Sequence, residues 1–477
     1  MITWLIVMGI SAAIAKESSS LTLDNLQVTV DTIWVLITGS LVFFMNCGFA
    51  MLETGFCRKK SSVNVLAKNT IVFSIATLIF WFIGFAFMFG NGGDYLGVEG
   101  FLLLGKDSFN ALDLDWSKAT LYAKFFFQLT FAGTAATIVS GAVTERIKFG
   151  VFVAFSALFV IIYSIAGHWV WGGGFLYNFG VRDFAGSMVV HFVGGCAALT
   201  GTWLLKPRLG KYVDWKETEK RSIKQTSFNG KKIVTMYPDN LSLATLGCFI
   251  LWLGWFGFNA GSTLSANAEA ISHILLATLI AGAFGAFGAL SATTCSWIFY
   301  EKPSLSFIIN GILAGCVSIT ASCAFVSIYS AAIIGIIGGI IVLVATILLE
   351  KSEIDDPVGA VPVHFACGIW GTLAVGIFSL DPQTYSWSYL FTQNQNIRGG
   401  LLFGGEIDLL FAQIIGLMMV GAFTLTFSYL AWVFIAWISY RLSYPSNFGF
   451  RPVLGLRVTE DEEIKGVDSL FVEAENE

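Results

Sequence analysis

The chain has 477 residues, of which 56% are hydrophobic and only 12% are charged, and its formal net charge is −5. A soluble protein carries about 25% charged residues, so this composition excludes a soluble multidomain protein. The small acidic net charge also lacks the excess of positive charge that is typical of nucleic-acid binding. The 50 Gly, 44 Phe and 15 Trp instead predict an all-α polytopic membrane protein, because Gly permits close helix packing and aromatic residues gather at membrane interfaces.

The first residues of the chain are apolar but too few to cross a membrane. Residues 1–15 end in Ala13-Ile14-Ala15, directly before Lys16. The stretch resembles the core and the cleavage site of a signal peptide, although the positively charged segment before the core is missing. We therefore treat 1–15 as a candidate signal peptide.

Long uncharged runs follow at regular intervals, and about 20 such residues cross the hydrocarbon layer of a bilayer. The run 303–349 has 47 residues without a charge, so we divide it near Ser327 into two crossings. This division gives eleven predicted transmembrane helices. The other nine are predicted over 33–52, 69–93, 125–144, 149–181, 184–205, 240–268, 270–300, 357–380 and 409–440.

The distribution of Lys and Arg orients these helices. With the N-terminus outside, the inner loops and the tail contain 21 of the 27 basic residues, nine of them in a basic loop over 206–239. Positive residues are retained on the cytoplasmic side of a membrane. We therefore predict a multi-pass protein of the cell membrane, with an outer N-terminus and a cytoplasmic tail over 441–477.

Two segments, DFAGSMVVHF (183–192) and DPVGAVPVHF (356–365), are near-duplicates at the starts of two predicted spans. Five spans separate them, so the two copies enter the membrane from opposite faces, as in an inverted repeat. We predict one five-helix repeat over 31–205, a second over 240–380 and a long eleventh helix over 408–440. Such folds place their substrate site near the membrane midplane, between the repeats.

Each copy carries a His eight residues after its Asp, which is about 12 Å along a helix. Because the copies enter from opposite faces, we expect the imidazoles of His191 and His364 to lie within several Å of each other. For either His alone, a structural hydrogen bond is the competing interpretation. A zinc site is disfavoured because neither span offers a third ligand one or two turns away. His168 and His273 lack any such context.

The Asp residues of the two copies, Asp183 and Asp356, begin their helices. A carboxylate at that position caps free backbone N–H groups, so a structural role is expected for both. Asp183 lies at the predicted outer mouth, where its charge also favours a cation.

Aromatic residues share helix faces in two other spans. Phe127 and Phe131 are four residues apart, and Trp255, Phe258 and Ser262 have the spacing i, i+3, i+7. Aromatic faces attract an ammonium-type cation, and a hydroxyl accepts its hydrogen bond. Packing or contact with lipid is the competing interpretation of both sets.

Several segments have the order of motifs in a known family: GFAMLETG, FFFQLTFAGTAATIVSGAVTERIKF, GHWVWGGGFL, DFAGSMVVH, LGWFGFNAGST and GAVPVHFACGIWGTLAVGIF. From about residue 31 to 455 the chain resembles the ammonium transporter family (Amt/MEP/Rh), of the Amt type. The resemblance implies a homotrimer with one pore in each subunit and no cofactor. It also implies an outer ammonium recruitment site at Phe127, Trp171 and Ser262, with Asp183 nearby.

The same resemblance assigns residues deeper in the pore. It implies two stacked gate phenylalanines at Phe131 and Phe258. It implies twin histidines at His191 and His364, with Trp255 beside the pore. Immediately before Val363 and His364 the chain has Pro362, where the family more often has another residue.

The tail departs from the family pattern. The family often continues with a segment of the form GLDxxEHG, whereas GVDSLFVEAENE begins here at Gly466 and lacks the His-Gly pair. A PII-type regulatory protein is therefore a candidate cytoplasmic partner without support from this motif.

These patterns predict an ammonium transporter rather than an enzyme, since no nucleophile and base pair or metal site emerges. NH4+ would enter from outside and lose its proton, and NH3 would pass the twin histidines, since a bare cation in a dry pore is costly. Methylammonium is a related candidate substrate. The alternative is an ammonium sensor that signals through the acidic tail, 460–463, to a separate cytoplasmic partner. A gas channel of the related Rh type also stays open.

Overall fold

The computed structural model describes residues 22–112, 116–214, 227–228, 231–234, 236–283, 287–382, 399–445 and 449–472. The candidate signal peptide 1–15 lies outside these residues. Within them, ten helices are long and apolar enough to cross a membrane, which confirms the all-α membrane class. A further apolar helix, Leu305–Thr320, has 16 residues, fewer than the roughly 20 that a crossing needs. The count of eleven spans therefore stays a prediction.

Several of the helices begin at polar caps. Asn240, Asn267 and Ser327 each accept a hydrogen bond from a backbone N–H of the first helical turn that follows them. The helices, in chain order, are α1 Leu23–Phe56, α2 Lys59–Phe89, α3 Leu121–Val143, α4 Phe149–Trp171, α5 Ser187–Leu205, α6 Leu241–Gly261, α7 Ala268–Thr278 with its continuation Phe287–Tyr300, α8 Leu305–Thr320, α9 Ile328–Lys351, α10 Val361–Phe378 and α11 Asp408–Ser443.

Three predicted segments differ from the structure. The span 149–181 is interrupted: α4 ends at Trp171 and a short helix, Phe175–Phe179, follows, because three consecutive glycines intervene and Gly173 has φ of +79°. The first helix is longer than 33–52. The loop 206–239 contains an antiparallel sheet of β1 Tyr212–Asp214, β2 Ser227–Phe228 and β3 Lys231–Ile233, in the order β1-β3-β2.

Helices α1 and α6 pack closely against each other. A Cβ atom on Gly55 would lie 2.3 Å from the backbone nitrogen of Ala244, and one on Gly247 would lie 2.3 Å from that of Leu52. Glycines at these positions let the two backbones touch, as small residues do in many membrane helices. Glu53, close to this contact near the end of α1, is buried.

The tail packs back onto one end of the bundle, which we call the tail-side face. Two short helices, α12 Pro452–Leu456 and α13 Glu460–Lys465, lie there. The carboxylate of Asp468 accepts hydrogen bonds from the backbone N–H groups of Val63 and Asn64, at 3.1 and 2.8 Å. The tail thereby caps the N-terminal part of α2. The opposite end of the bundle is called the pocket-side face below.

Candidate functional site

A cavity of about 260 Å³, the large cavity, opens at the pocket-side face. Four residues from the predicted site line it: Phe131, Trp171, Asp183 and Ser262. Phe127 is not among its lining residues, although its ring centroid lies 4.7 Å from that of Phe131. The structure therefore brings most of the predicted recruitment residues to one cavity, with Phe127 packed against Phe131 outside its lining.

Hydrogen-bond acceptors and aromatic faces share the wall of this cavity. The hydroxyl of Ser262 donates to the carbonyl of Phe258 at 2.8 Å, so its oxygen lone pairs are left to accept. The indole N–H of Trp171 donates to the carbonyl of Asp183 at 2.6 Å, which fixes the ring. Gln128 also lines the cavity, and its buried Oε1 has no hydrogen-bond partner among the described residues.

Gln128 was not predicted from the sequence. The available signal was an uncharged polar residue inside the apolar segment FFFQLTFA, directly after Phe127. A buried amide oxygen without a partner is costly, since it has lost its water. The wall of the large cavity thus offers an acceptor that suits a ligand with N–H groups.

Asp183 has a structural role, as expected of a helix-starting carboxylate. One oxygen accepts a hydrogen bond from the N–H of Gly186 at 2.7 Å, and the other accepts from Met188 and Val189 at 2.8 Å each. Burial raises the pKa of Asp183 to about 6, against the lowering effect of these backbone hydrogen bonds. The three backbone hydrogen bonds favour the ionised form, which places negative charge in the cavity wall.

Beneath the large cavity lies the phenylalanine pair, Phe131 and Phe258. Their rings are stacked, with centroids 4.0 Å apart and an interplanar angle of 25°. Both are fully buried, at 1% and 0% exposure. The pair is an apolar barrier at the floor of the cavity.

The histidine pair, His191 and His364, follows this barrier. The ring of His191 stacks on Phe258 and on Trp255, at 5.4 and 5.2 Å between centroids. Its Nδ1 lies 3.1 Å from Nδ1 of His364. When both rings are neutral, one Nδ1 donates and the other accepts, so the two histidines have different tautomers. Nε2 of His191 is buried and has no partner among the described residues.

The indole of Trp255 is held in place from the opposite side. Its N–H donates to the hydroxyl of Thr320 at 2.9 Å, and its ring is fully buried. Trp255 therefore supports the imidazole of His191 with an apolar face and offers no hydrogen-bond donor to it.

The two histidines meet because α5 and α10 cross at glycines. Each helix opens with a π-helical turn, Ser187–Phe192 and Val361–Ala366, that contains its His. A Cβ atom on Gly195 would lie 2.4 Å from the backbone nitrogen of Phe365, and one on Gly368 would lie 2.8 Å from the carbonyl of Ser187. Only glycine permits this approach, which brings the imidazoles within hydrogen-bond distance.

The remaining histidines lie elsewhere. The ring nitrogens of His168 contact the carbonyls of Met88 and Gly93 at 2.9 and 2.8 Å. Nε2 of His273 lies 2.9 Å from the carbonyl of Val326. Both therefore make backbone contacts away from the histidine pair.

Beyond His364, toward the tail-side face, lies a second cavity of about 20 Å³, the small cavity. Glu53, Asn310 and His364 are among its lining residues. Glu53 and Asn310 were not predicted from the sequence, because a single polar residue in an apolar span has no pattern around it.

Comparisons with known proteins agree with this architecture. Residues 33–475 match the Ammonium Transporter Family. Ammonium transporter Amt2 of Archaeoglobus fulgidus is 39% identical over 483 residues, covering 97% of this chain and 92% of the relative. A solved structure named Sensor Amt Protein superposes with a TM-score of 0.78 at 33% identity, covering 94% of this chain and 100% of that chain. Mep2 of Candida albicans superposes with a TM-score of 0.76 at 26% identity, over 92% and 89% of the two chains.

The sequence match extends over nearly the whole chain and includes the segments that build both cavities and the histidine pair. The solved relatives share the helical architecture over nearly the same length. A family match of this extent, with sequence identity of 39% to a relative aligned over most of both chains, leaves one conclusion. This multi-pass membrane protein belongs to the ammonium transporter family.

Proposed function

We propose that this protein moves ammonium across the membrane by binding NH4+ in the large cavity, transferring one of its protons to water in that cavity before the phenylalanine pair, and passing NH3 along the histidine pair. The observation that carries the proposal is the succession of contacts. Phe131, in the cavity wall, stacks on Phe258 at 4.0 Å, and Phe258 stacks on His191 at 5.4 Å. His191 in turn contacts His364.

The wall of the large cavity suits a small cation that donates hydrogen bonds. Trp171 and Phe131 offer aromatic faces, which attract a cation by about 0.5 to 2 kcal/mol. Oε1 of Gln128 and the hydroxyl of Ser262 offer acceptors. The ionised carboxylate of Asp183 adds negative charge. K+ gains from the aromatic faces and the charge, but it cannot donate a hydrogen bond.

The phenylalanine pair favours a neutral species over an ion. Two stacked, buried rings offer no polar group to replace the water around a cation, and a dehydrated charge in an apolar layer is very costly. NH3 carries no charge, so it avoids that cost. Beyond the rings, the unpartnered Nε2 of His191 either accepts from NH3 or donates to it, depending on the tautomer.

We also propose an orientation in the membrane, an assembly of subunits, a second substrate and a partner for this protein. The tail and most basic loops lie in the cytoplasm, by the positive-inside rule, so the large cavity faces outward in the cell membrane. Three chains form a homotrimer with one pore each, and methylammonium is a second, larger substrate. A PII-type protein stays a candidate partner for the tail-side face.

The test is the transient current of purified protein in proteoliposomes after an ammonium jump, with a K+ jump as the control. We expect an ammonium-driven signal, electrical or as a change of internal pH, and none with K+. His191→Ala should lower the ammonium flux or admit K+, whereas the matched control His273→Ala should behave as the wild type. Equal flux and K+ exclusion in His191→Ala would show that the histidine pair has no such role.

A second candidate function is ammonium sensing. It is favoured by the likeness to a structure whose name describes that protein as a sensor, and by the docked tail. Asp468 caps α2, and Glu463 pairs with Arg457 at 2.7 Å while accepting from the N–H of Leu209. A movement of the start of α2, or of the segment after α5 that contains Leu209, would therefore release the tail to a partner.

Deletion of residues 457–477 separates the two functions. A transporter keeps measurable ammonium flux in proteoliposomes after the deletion, because both cavities and the histidine pair are intact. A pure sensor shows no flux with or without the tail, and loses its ammonium-dependent output in cells when the tail is removed.

A further inference from the structure

The small cavity has the dimensions and lining of a binding site for one small molecule. Its volume of about 20 Å³ is enough for a single particle the size of water. It borders His364, so it is the next space that a molecule meets after the histidine pair. Phe49, Leu313 and Val363 form part of its apolar wall.

Two oxygen atoms in this cavity's lining residues have no hydrogen-bond partner among the described residues: Oε1 of Glu53 and Oδ1 of Asn310. Glu53 is 1% exposed and Asn310 is 9% exposed, so bulk water does not satisfy them. Buried acceptors are paired in the great majority of cases, with protein or with an ordered small molecule. Two unpaired acceptor oxygens in the residues that line one cavity indicate an occupant that donates hydrogen bonds.

The remaining polar atoms of these side chains are already engaged. Oε2 of Glu53 accepts from the hydroxyl of Ser140 at 2.8 Å, and the carbonyl of Ser140 accepts from Nζ of Lys68 at 3.0 Å. Nδ2 of Asn310 donates to the carbonyl of Val358 at 3.3 Å. These bonds fix both side chains, so Oε1 and Oδ1 are held as acceptors rather than free to rotate away.

The charges around the cavity bear on which occupant it prefers. Lys68 and Asp356 both lie close enough to act electrostatically on Glu53, with opposite signs. The ammonium group of Lys68 is directed to the carbonyl of Ser140. Asp356 accepts from the N–H groups of Val358, Gly359 and Val361. The side-chain amide of Asn69 also lies near Glu53, but its Nδ2 donates to the carbonyl of Val65 at 3.0 Å. Oε1 of Glu53 therefore has no hydrogen bond among the described residues and is left for a donor in the cavity.

We propose that the small cavity is a second ammonium-binding site, at the tail-side end of the pore, in which Glu53 is the anionic partner and Asn310 accepts a second hydrogen bond. NH4+ is similar in size to water and has only donors, so it matches a cavity with a carboxylate and an amide oxygen. The inference rests on the proposed function, because it assigns the place where NH3 from the histidine pair becomes a cation again. The carboxylic acid form of Glu53 gives its O–H proton to the lone pair of NH3, and the carboxylate that remains pairs with NH4+. Water at the tail-side face protonates Glu53 again after NH4+ leaves.

Infrared difference spectroscopy tests the binding directly, without transport. Purified protein in lipid is exchanged between K+ and ammonium buffers, and the carboxyl stretching bands are recorded. We expect an ammonium-dependent carboxyl band in the wild type that is absent in Glu53→Gln. The matched control is Asp31→Asn on the same helix, whose oxygens already accept from the N–H groups of Lys118 and Ala266; it should keep the band. Any band from Asp183 in the large cavity should persist in both variants. If Glu53→Gln keeps every ammonium-dependent band of the wild type, the bands come from other carboxyl groups and the small cavity is not an ammonium site.

Flux measurements separate the failure of this inference from that of the proposed function. Glu53→Gln should lower ammonium flux by roughly tenfold, since a hydrogen bond to a charged group contributes about that factor or more. Asn310→Leu is of similar size but lacks the acceptor, so it should reduce flux less and should shift the Glu53 band. If Glu53→Gln does not fold, this variant tests whether the small cavity binds ammonium. No flux in the wild type would overturn the proposed function. Wild-type flux in both variants, without a shifted band, would overturn this site alone.

Discussion

The two matching segments, 183–192 and 356–365, have the same local structure in different surroundings. In each, the Asp accepts backbone N–H groups of the next turn, and the His lies in a π-helical turn. The first segment borders a cavity of about 260 Å³, whereas the second borders one of about 20 Å³. A repeated motif therefore sets the geometry of the histidines, while residues outside the motif set what each end of the pore can hold.

The residue before each Asp shows the same contrast in charge. Arg182 precedes Asp183, and its guanidinium donates to the carbonyls of Tyr177 and Val181. Asp355 precedes Asp356 and forms an ion pair with Arg208 at 2.7 Å. Burial raises the pKa of Asp355, but the guanidinium of Arg208 outweighs it and holds that pKa well below its ordinary value. The pocket-side segment is held by backbone contacts, and the tail-side segment is held by an ion pair.

The largest expected effect follows from breaking that ion pair. Arg208→Ala leaves the carboxylate of Asp355 buried without its guanidinium partner, whereas Glu145 keeps its ion pair with Arg58. The uncompensated charge of Asp355 should cost about 3 to 5 kcal/mol of stability. Thermal unfolding in detergent measures it. The control Lys211→Ala removes a longer, more exposed pair with Glu350 at 3.6 Å, which is worth about 0 to 1 kcal/mol. Equal losses in both variants would show that the tail-side segment does not depend on Arg208.

Substitutions at the crossing of α5 and α10 should have the next largest effect, and they compare the two segments directly. Gly195→Ala places a Cβ 2.4 Å from a backbone nitrogen, and Gly368→Ala places one 2.8 Å from a backbone oxygen. Overpacking of this kind costs about 1 to 3 kcal/mol, and we expect the greater loss for Gly195→Ala. Unfolding midpoints and ammonium flux report it. Unchanged stability and flux in Gly195→Ala would contradict the close helix crossing that brings the two histidines together.

The pocket-side end can be weakened without disturbing the tail-side end. Gln128→Met removes the unpartnered acceptor from the large cavity and should raise the half-saturation for ammonium by roughly tenfold, the value of a hydrogen bond to a charged group. The maximal rate should change little. Thr424→Val removes a buried hydroxyl that also lacks a partner among the described residues but lies on α11, and it should leave the half-saturation unchanged. Concentration series in proteoliposomes measure both.

The smallest effect is the response to acid. Because the pKa of Asp355 is lowered in the folded protein, its stabilising contribution is complete above the ordinary Asp value of about 4 and is lost as the pH falls below it. Wild-type stability should therefore decrease by roughly 1 kcal/mol per pH unit in that range. In Arg208→Ala this slope should flatten. An unchanged slope would assign the acid response to other carboxylates, and unfolding midpoints at several pH values decide between them.

The sequence predicted much of the site because its evidence was periodic or duplicated. Hydropathy indicated the membrane class, and the repeated Asp and His identified His191 and His364. Spacing on one helix face grouped Phe258 with Trp255. Gln128 and Glu53 were missed, since a single polar residue in an apolar span has no pattern around it, and its importance depends on which cavity it lines.

By itself, then, the sequence determined the properties that depend on neighbours along the chain. These are the apolar helices, their caps, and the two copies of one motif at the starts of two spans. Only the tertiary structure decided which side chains meet: Nδ1 of His191 with Nδ1 of His364 at 3.1 Å, and Glu53 with Asn310 around one small cavity. The physical reason is that such contacts join helices far apart in sequence, and they depend on backbone approaches that glycines such as Gly195 permit.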